Sequence, residues 1–369
     1  MKYQVRILTP TLVGDGAKLS PIDYMVWRDQ VNVLNQPKIF KLLAKGSRLD
    51  GYLAQLQRAT KLDFASWGGF AQNYADRRIP FEDAAVTGYW DKAPLDSLQI
   101  PTFSSAAAGP FLPGSAIKGA LRNGFVFAHL KSGALKEMAA KLTAGEWPSR
   151  HPSEQIEHQT AGSGASDRMR VFSVADSAPG SREAFRVFML RLSTLIPKGT
   201  DDYALGWKPT TTFAEMAGAG AVFEGVWREN SFLNLEEVRQ SLRWNTPVTR
   251  ERLFEAANRY AEKQLELHAC YAVWTGLDTL AASVAELQQQ LAVARREGRC
   301  LLAIGWGAGF LSKSAAIGVA EEDHRGVLGT TSFYERAIKS GLPFPKTRRI
   351  VYLKNQPATL PGWVELSVS

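Results

Sequence analysis

Polar and hydrophobic residues alternate from Lys2 to Leu8, which predicts a half-buried strand halted at Thr9-Pro10. Val13-Gly14-Asp15-Gly16 reads as a turn, and Tyr24–Trp27 with Val31–Leu34 bracket Arg28-Asp29-Gln30 as a hairpin. Short amphipathic patterns over Ile39–Leu43 and Leu49–Leu62 predict two helices joined at Gly46-Ser47. From Asp63 to Pro110 no period is sustained, and aromatics interspersed with Pro80, Pro94 and Pro101 predict an irregular insertion packed on the rest. After Pro113-Gly114, the residues Ile117, Ala120, Leu121, Gly124, Phe125 and Ala128 recur at i, i+3, i+4, i+7. That stripe predicts a helix from Ser115 to about Lys131, with Ser115 able to cap it.

Residues 145–168 are polar and contain glycine and proline, so a mobile loop is expected. Strands are predicted at Val171–Val174, Phe185–Leu195 and Ala221–Trp227, the first followed by the turn Asp176–Gly180. Leu235–Arg243 opens a helical region, and Thr249–Trp274 and Asp278–Glu297 predict two long antiparallel helices separated near Gly276. A strand at Cys300–Ile304, a glycine loop at Gly305–Gly309, a helix at Ser332–Ser340 and strands at Arg349–Leu353 and Trp363–Val368 complete the pattern. Strand–helix–strand units do not repeat regularly, which favours an α+β fold over a doubly wound parallel sheet. Glu229-Asn230-Ser231 marks the expected boundary. It gives a first domain over 1–230, with insertions at about 36–110 and 145–168. A second domain over 231–369 holds the two long helices and the glycine loop.

Hydrophobic content of 45% with 22% charged residues is that of a folded protein. The formal net charge of +8 attracts polyanions. It concentrates late: Arg325, Arg336, Lys339, Lys346, Arg348, Arg349 and Lys354 stand against Glu335 and Glu365 alone. Two cysteines make neither a disulfide framework nor a zinc site, and Cys270 and Cys300 both read as buried small hydrophobes. Neither a secretory signal nor a run of membrane-spanning length is visible, so a cytoplasmic protein is expected.

Two segments carry binding chemistry. At the start of the helix at Ser115, backbone N–H groups, the helix dipole, Lys118 and Arg122 converge on one region, an anion site built from Gly114, Ser115, Lys118 and Arg122. In Gly305-Trp306-Gly307-Ala308-Gly309-Phe310-Leu311-Ser312-Lys313-Ser314, the P-loop pattern fails because Ser312 stands where glycine must precede Lys-Ser. The dinucleotide fingerprint fails because the glycines are spaced G-x-G-x-G. What remains is a turn whose N–H groups and Lys313 suit phosphates. Trp306 and Phe310 either stack on unpaired bases or cap the core.

Signals for turnover are absent from the sequence. His129, His151, His158, His268 and His324 form no H-E-x-x-H pair, and there is no G-x-S-x-G elbow. Asp15, Asp23 and Asp176 lie near turns, where such residues are most often turn formers.

The segment Phe111–Arg122 (FLPGSAIKGALR) resembles the core element of the RAMP superfamily of CRISPR proteins. Three further blocks narrow the resemblance: Ile7–Trp27, Val171–Ser177 (VFSVADS) and Ala303–Ser314 (AIGWGAGFLSKS). Together the four resemble the subunit of type III-A (Csm) effector complexes that caps the crRNA 3′ end. The resemblance implies two RRM-like (ferredoxin-like) domains and a crRNA-binding structural subunit that assists 3′ maturation, with no cofactor, no metal and no membrane. Implied partners are crRNA, the repeated backbone RAMP subunit, the small helical subunits and recruited host nucleases. By position, Gly114, Ser115, Lys118, Arg122, Gly305, Trp306, Gly307, Gly309 and Lys313 would face RNA. The alternative is a RAMP endoribonuclease that processes precursor crRNA or cleaves target RNA, for which Asp15 or Asp23 falls near the early loop that carries an acid in such subunits.

Overall fold

The computed structural model describes residues 1–44, 48–58, 73–146, 151–199 and 202–369. The expected joint at Gly46-Ser47 and residues 59–72 and 147–150 of the segments discussed above lie outside that set.

The described residues form a mixed α+β fold of antiparallel sheets. In β1 (Lys2–Ile7) the alternation is realised, with Tyr3, Val5 and Ile7 buried. The hairpin of β2 (Tyr24–Trp27) and β3 (Gln30–Leu34) is joined by β4 (Ala75–Pro80) in a three-stranded sheet. Part of the irregular insertion is therefore strand. Only Ile79 of β4 is fully buried, so it carries little hydrophobic pattern.

The two larger sheets use β5 (Phe172–Val174), β6 (Phe185–Pro197), β7 (Tyr203–Ala217), β8 (Val222–Glu229), β9 (Cys300–Ala303), β10 (Thr347–Leu353), β11 (Gln356–Thr359) and β12 (Trp363–Val368). Their orders are β9-β12-β1-β8-β5 and β7-β6-β10-β11. Register is set by pairs such as Tyr3↔Val368, Tyr3↔Gly225 and Leu190↔Val351. Both sheets take strands from either side of residue 230, so a cut there would divide each of them.

Helix α1 (Gly114–His129) presents Ile117, Leu121 and Phe125 to the core shared with Val5, Phe172, Trp227, Val364 and Leu366. The expected loop at 145–168 contains α2 (Pro152–Ala161), with proline in its first turn and Gly162 after its last residue. These end signals are the usual ones, but Ile156 and Ala161 are its buried apolar residues, too few for a visible stripe. The long helices are α3 (Arg250–Thr275) and α4 (Asp278–Arg296). Thr249 caps α3 by accepting the Arg252 N–H, and Gly276 ends it in the left-handed region at φ 63°. Leu265, Tyr271, Leu280, Val284, Leu287 and Leu291 pack with Leu195, Ile350 and Trp363 into a second core. Cys300 is buried as expected, whereas Cys270 is exposed, because Tyr271 and Ala272 carry the buried face of α3 at that turn. No described helix is long and apolar enough to cross a membrane.

Candidate nucleic-acid interface

At the start of α1 the N-cap residue is Pro113, and no side chain caps the helix there; Ser115 is exposed at the second helical position. The Gly114 N–H donates instead to Asp176 Oδ1 at 2.8 Å, so the anion at this helix end is the chain's own carboxylate. Glycine is required: a Cβ at position 114 would lie 2.3 Å from the Val174 carbonyl oxygen and 2.6 Å from that of Ala175. Lys118 is half-buried and makes no ion pair among the described residues. Arg122, one turn on, is engaged: Nη1 donates to Asp167 Oδ2 at 2.7 Å, and Nε reaches Glu157 Oε2 at 3.5 Å.

Arg122 thus ties α1 to α2 and the turn after it. Arg122→Ala is expected to destabilise that attachment by about 1 kcal/mol, discounted for partial exposure. The measurement is amide exchange of residues 152–161, which should quicken about fivefold if exchange follows local opening. Unchanged exchange in α2 would sink the assignment.

The glycine loop is fixed at several points. Gly305 has φ 78°, the Trp306 N–H donates to the Leu12 carbonyl at 2.7 Å, and a Cβ on Gly305 would lie 2.2 Å from that same oxygen. Gly307 and Gly309 also have positive φ, 93° and 84°. Asn123 Nδ2 on α1 donates to the Ser312 carbonyl at 3.0 Å, and the Tyr260 hydroxyl of α3 lies 2.5 and 2.9 Å from the carbonyl oxygens of Leu311 and Ser314. Phe310 packs against His324, Tyr334 and Phe344, while the Trp306 ring carries the Arg349 guanidinium 4.1 Å from its centroid.

Between this loop and the start of β10 lies a cleft of about 580 Å³. Its walls include Trp306, Gly307, Gly309, Lys313, Arg348 and Arg349, and no carboxylate lines it among the described residues. Gly114, Ser115, Lys118, Arg122 and Gly305 are not in its lining. Arg348 is 8% exposed, and Tyr271 lies beneath its guanidinium at 4.6 Å. Its Nε donates to His268 Nδ1 at 3.0 Å, and its Nη1 reaches the Pro345 and Thr347 carbonyls at 2.6 and 2.9 Å. Accepting at Nδ1 fixes the imidazole as neutral with its proton on Nε2. Burial, with the Arg348 charge beside it, pushes the His268 pKa well below the usual value, and burial pushes Arg348 down to about 10.

The sequence alone does not mark Arg348 and His268 as site residues. The signal for Arg348 was the basic run near the end of the sequence, but nothing local singles out which cations converge. Asp15, Asp23 and Asp176 each accept a backbone N–H, from Ala17, Ser20 and Gly114 respectively, as turn and helix-end formers do. No group of three His, Cys, Asp or Glu among the described residues is placed to hold a metal ion.

No family model and no curated protein matches the chain. The fold nevertheless has relatives among solved structures, and they come from type III-A CRISPR-Cas systems and their Csm proteins. A chain from the cryo-EM structure of a Csm–crRNA–target RNA ternary complex of a type III-A system superposes with TM-score 0.72 at 18% identity, over 100% of both chains. The crystal structure of T. onnurineus Csm5 superposes with TM-score 0.64 at 16% identity, over 98% of this chain and 99% of that one. At these identities the likeness is one of fold, and it runs the length of the chain. The resemblance drawn from the four sequence blocks is met at that level.

Proposed function

We propose that the chain is a crRNA-binding structural subunit of a type III-A CRISPR-Cas effector complex, capping the crRNA 3′ end and assisting its maturation without chemistry of its own. The observation that carries the reading is a cation-lined cleft at the glycine loop, with no acid among its described lining residues, in a fold shared end to end with a chain from an RNA-bound Csm complex. Backbone phosphates supply most of the affinity of such proteins, and unpaired lysines and arginines are what they require. Lys118, Lys313 and Arg349 make no ion pair with a carboxylate among the described residues, whereas Arg122 serves the attachment of α2. In this reading the two larger sheets belong to two RRM-like (ferredoxin-like) units, each completed by strands from both sides of residue 230. The partners are the repeated backbone RAMP subunit, the small helical subunits and recruited host nucleases.

The test is to purify the chain with its neighbouring operon products and sequence the bound RNA, which should carry a repeat-derived 5′ tag. On single-stranded RNA, log K should fall with log salt, and Lys313→Ala should lower that slope by about 1. Salt-independent or absent binding, in both the isolated chain and the complex, overturns the reading. RNA cleavage by the purified chain that is lost in Asp15→Ala would put the endoribonuclease in its place.

A further inference from the structure

The cleft beside the glycine loop holds a feature that a groove for a passing RNA strand does not need. Arg348 is buried without a carboxylate partner among the described residues, and its charge is met by two backbone carbonyls, a neutral imidazole and a tyrosine face. Burying a cation with no counter-charge is costly, so an anion that completes the pairing is strongly favoured there. Among the described residues, Arg348 Nη2 has no protein acceptor and is not sealed from solvent, and Arg348 lines the cleft. Arg349 lies over the Trp306 ring with no hydrogen bond to a described acceptor, and the exposed Lys313 lines the same cleft. Three cations thus border one space of about 580 Å³ with no acid among the described residues of its walls. That volume is in the range of a single-ligand pocket.

We propose that this cleft seats a terminal phosphate of the bound RNA, a phosphomonoester, with Arg348, Arg349 and Lys313 sharing its three free oxygens. A bridging phosphodiester offers two free oxygens and one negative charge; a terminal phosphate offers three and close to two charges at neutral pH. Charge-assisted bonds from planar guanidinium groups reward that difference. The inference rests on the RNA-binding reading and names the chemical group at the strand's end.

The experiment compares one short RNA sequence, carrying a 3′-phosphate, a 5′-phosphate or hydroxyls at both ends, for binding to the purified full chain at one salt concentration. A phosphate-ended RNA is expected to bind about tenfold more tightly than the hydroxyl-ended one. A preference for the 3′-phosphate or for the 5′-phosphate supports the seat and tells which end occupies it. Inorganic phosphate should compete away the preference. Because Arg348→Gln also removes a buried side chain that holds His268 and two carbonyls, the double variant Arg349→Gln with Lys313→Gln is the decisive one, and it should reduce the preference to about twofold or less. Equal, salt-dependent binding of all three RNAs overturns the inference and leaves the RNA-binding reading standing. A preference that survives in the double variant also overturns it, and failure of every RNA to bind overturns both.

Discussion

Gly305→Ala is expected to destabilise the protein by about 2–5 kcal/mol, from about 1–2 kcal/mol of left-handed strain and about 1–3 kcal/mol of overpacking. The residue sits at φ 78°, and the position its Cβ would take is 2.2 Å from the Leu12 carbonyl oxygen. That oxygen cannot retreat freely, because it accepts the Trp306 N–H at 2.7 Å in the bridge that fastens the loop to the segment after β1. Gly309 supplies the control. Its φ of 84° imposes the same strain, but the nearest atom to its Cβ position is 4.0 Å away. Gly309→Ala should therefore cost only about 1–2 kcal/mol. Chemical denaturation of both variants reads the difference directly, and equal losses would show that the crowding at Gly305 is relieved elsewhere.

Acidification should destabilise the protein through His268. Burial holds its folded pKa well below the ordinary value, while in the unfolded chain it takes up a proton near pH 6.5. Between those two pKa values the unfolded state binds more protons, so stability rises with pH across that window and levels off above about pH 6.5. Falling pH removes it at up to about 1.4 kcal/mol per unit. His324, also lowered by burial, adds a share of its own. His268→Gln keeps an acceptor for Arg348 and should flatten the His268 share of the slope. Unfolding free energies between about pH 5 and pH 7.5, above the carboxylate range, supply the check. An unchanged slope in the variant would remove His268 as its source.

What was legible in the sequence was whatever is decided locally or by a repeated pattern. Thr249 and Gly276 mark the ends of α3 because a cap and a left-handed stop act within a few residues. The stripe of α1 and the alternation of β1 were equally plain. The 15-residue β7 was not foreseen, because Lys208, Pro209 and Thr210 are exposed in an edge strand and break its alternation. Cys270 faces outward for a reason of helix phase that composition does not carry.

The candidate site divides in the same way. Its glycines and Lys313 stand out in one contiguous segment. Arg348 and His268 meet across 80 residues, and Arg122 is engaged by Asp167 and Glu157, 45 and 35 residues away. Lys118 and Arg122 look alike in the motif. What separates them is where α2 and its following turn come to rest, which tertiary packing alone decides.

The position of β12 also governs how the chain can be made. It lies between β9 and β1, and its Glu365 pairs with Arg6 across 359 residues of sequence as well as with Arg299. While the chain is still emerging from the ribosome, β1 can pair with β8 along one side but must leave its other side open until residue 363 and those after it are released. Such distant pairing slows folding and leaves an unpaired, aggregation-prone edge on the nascent protein. The first sheet is thus completed only after the residues of β12 have been translated, and a nascent form stopped before them would need a chaperone to shield that edge.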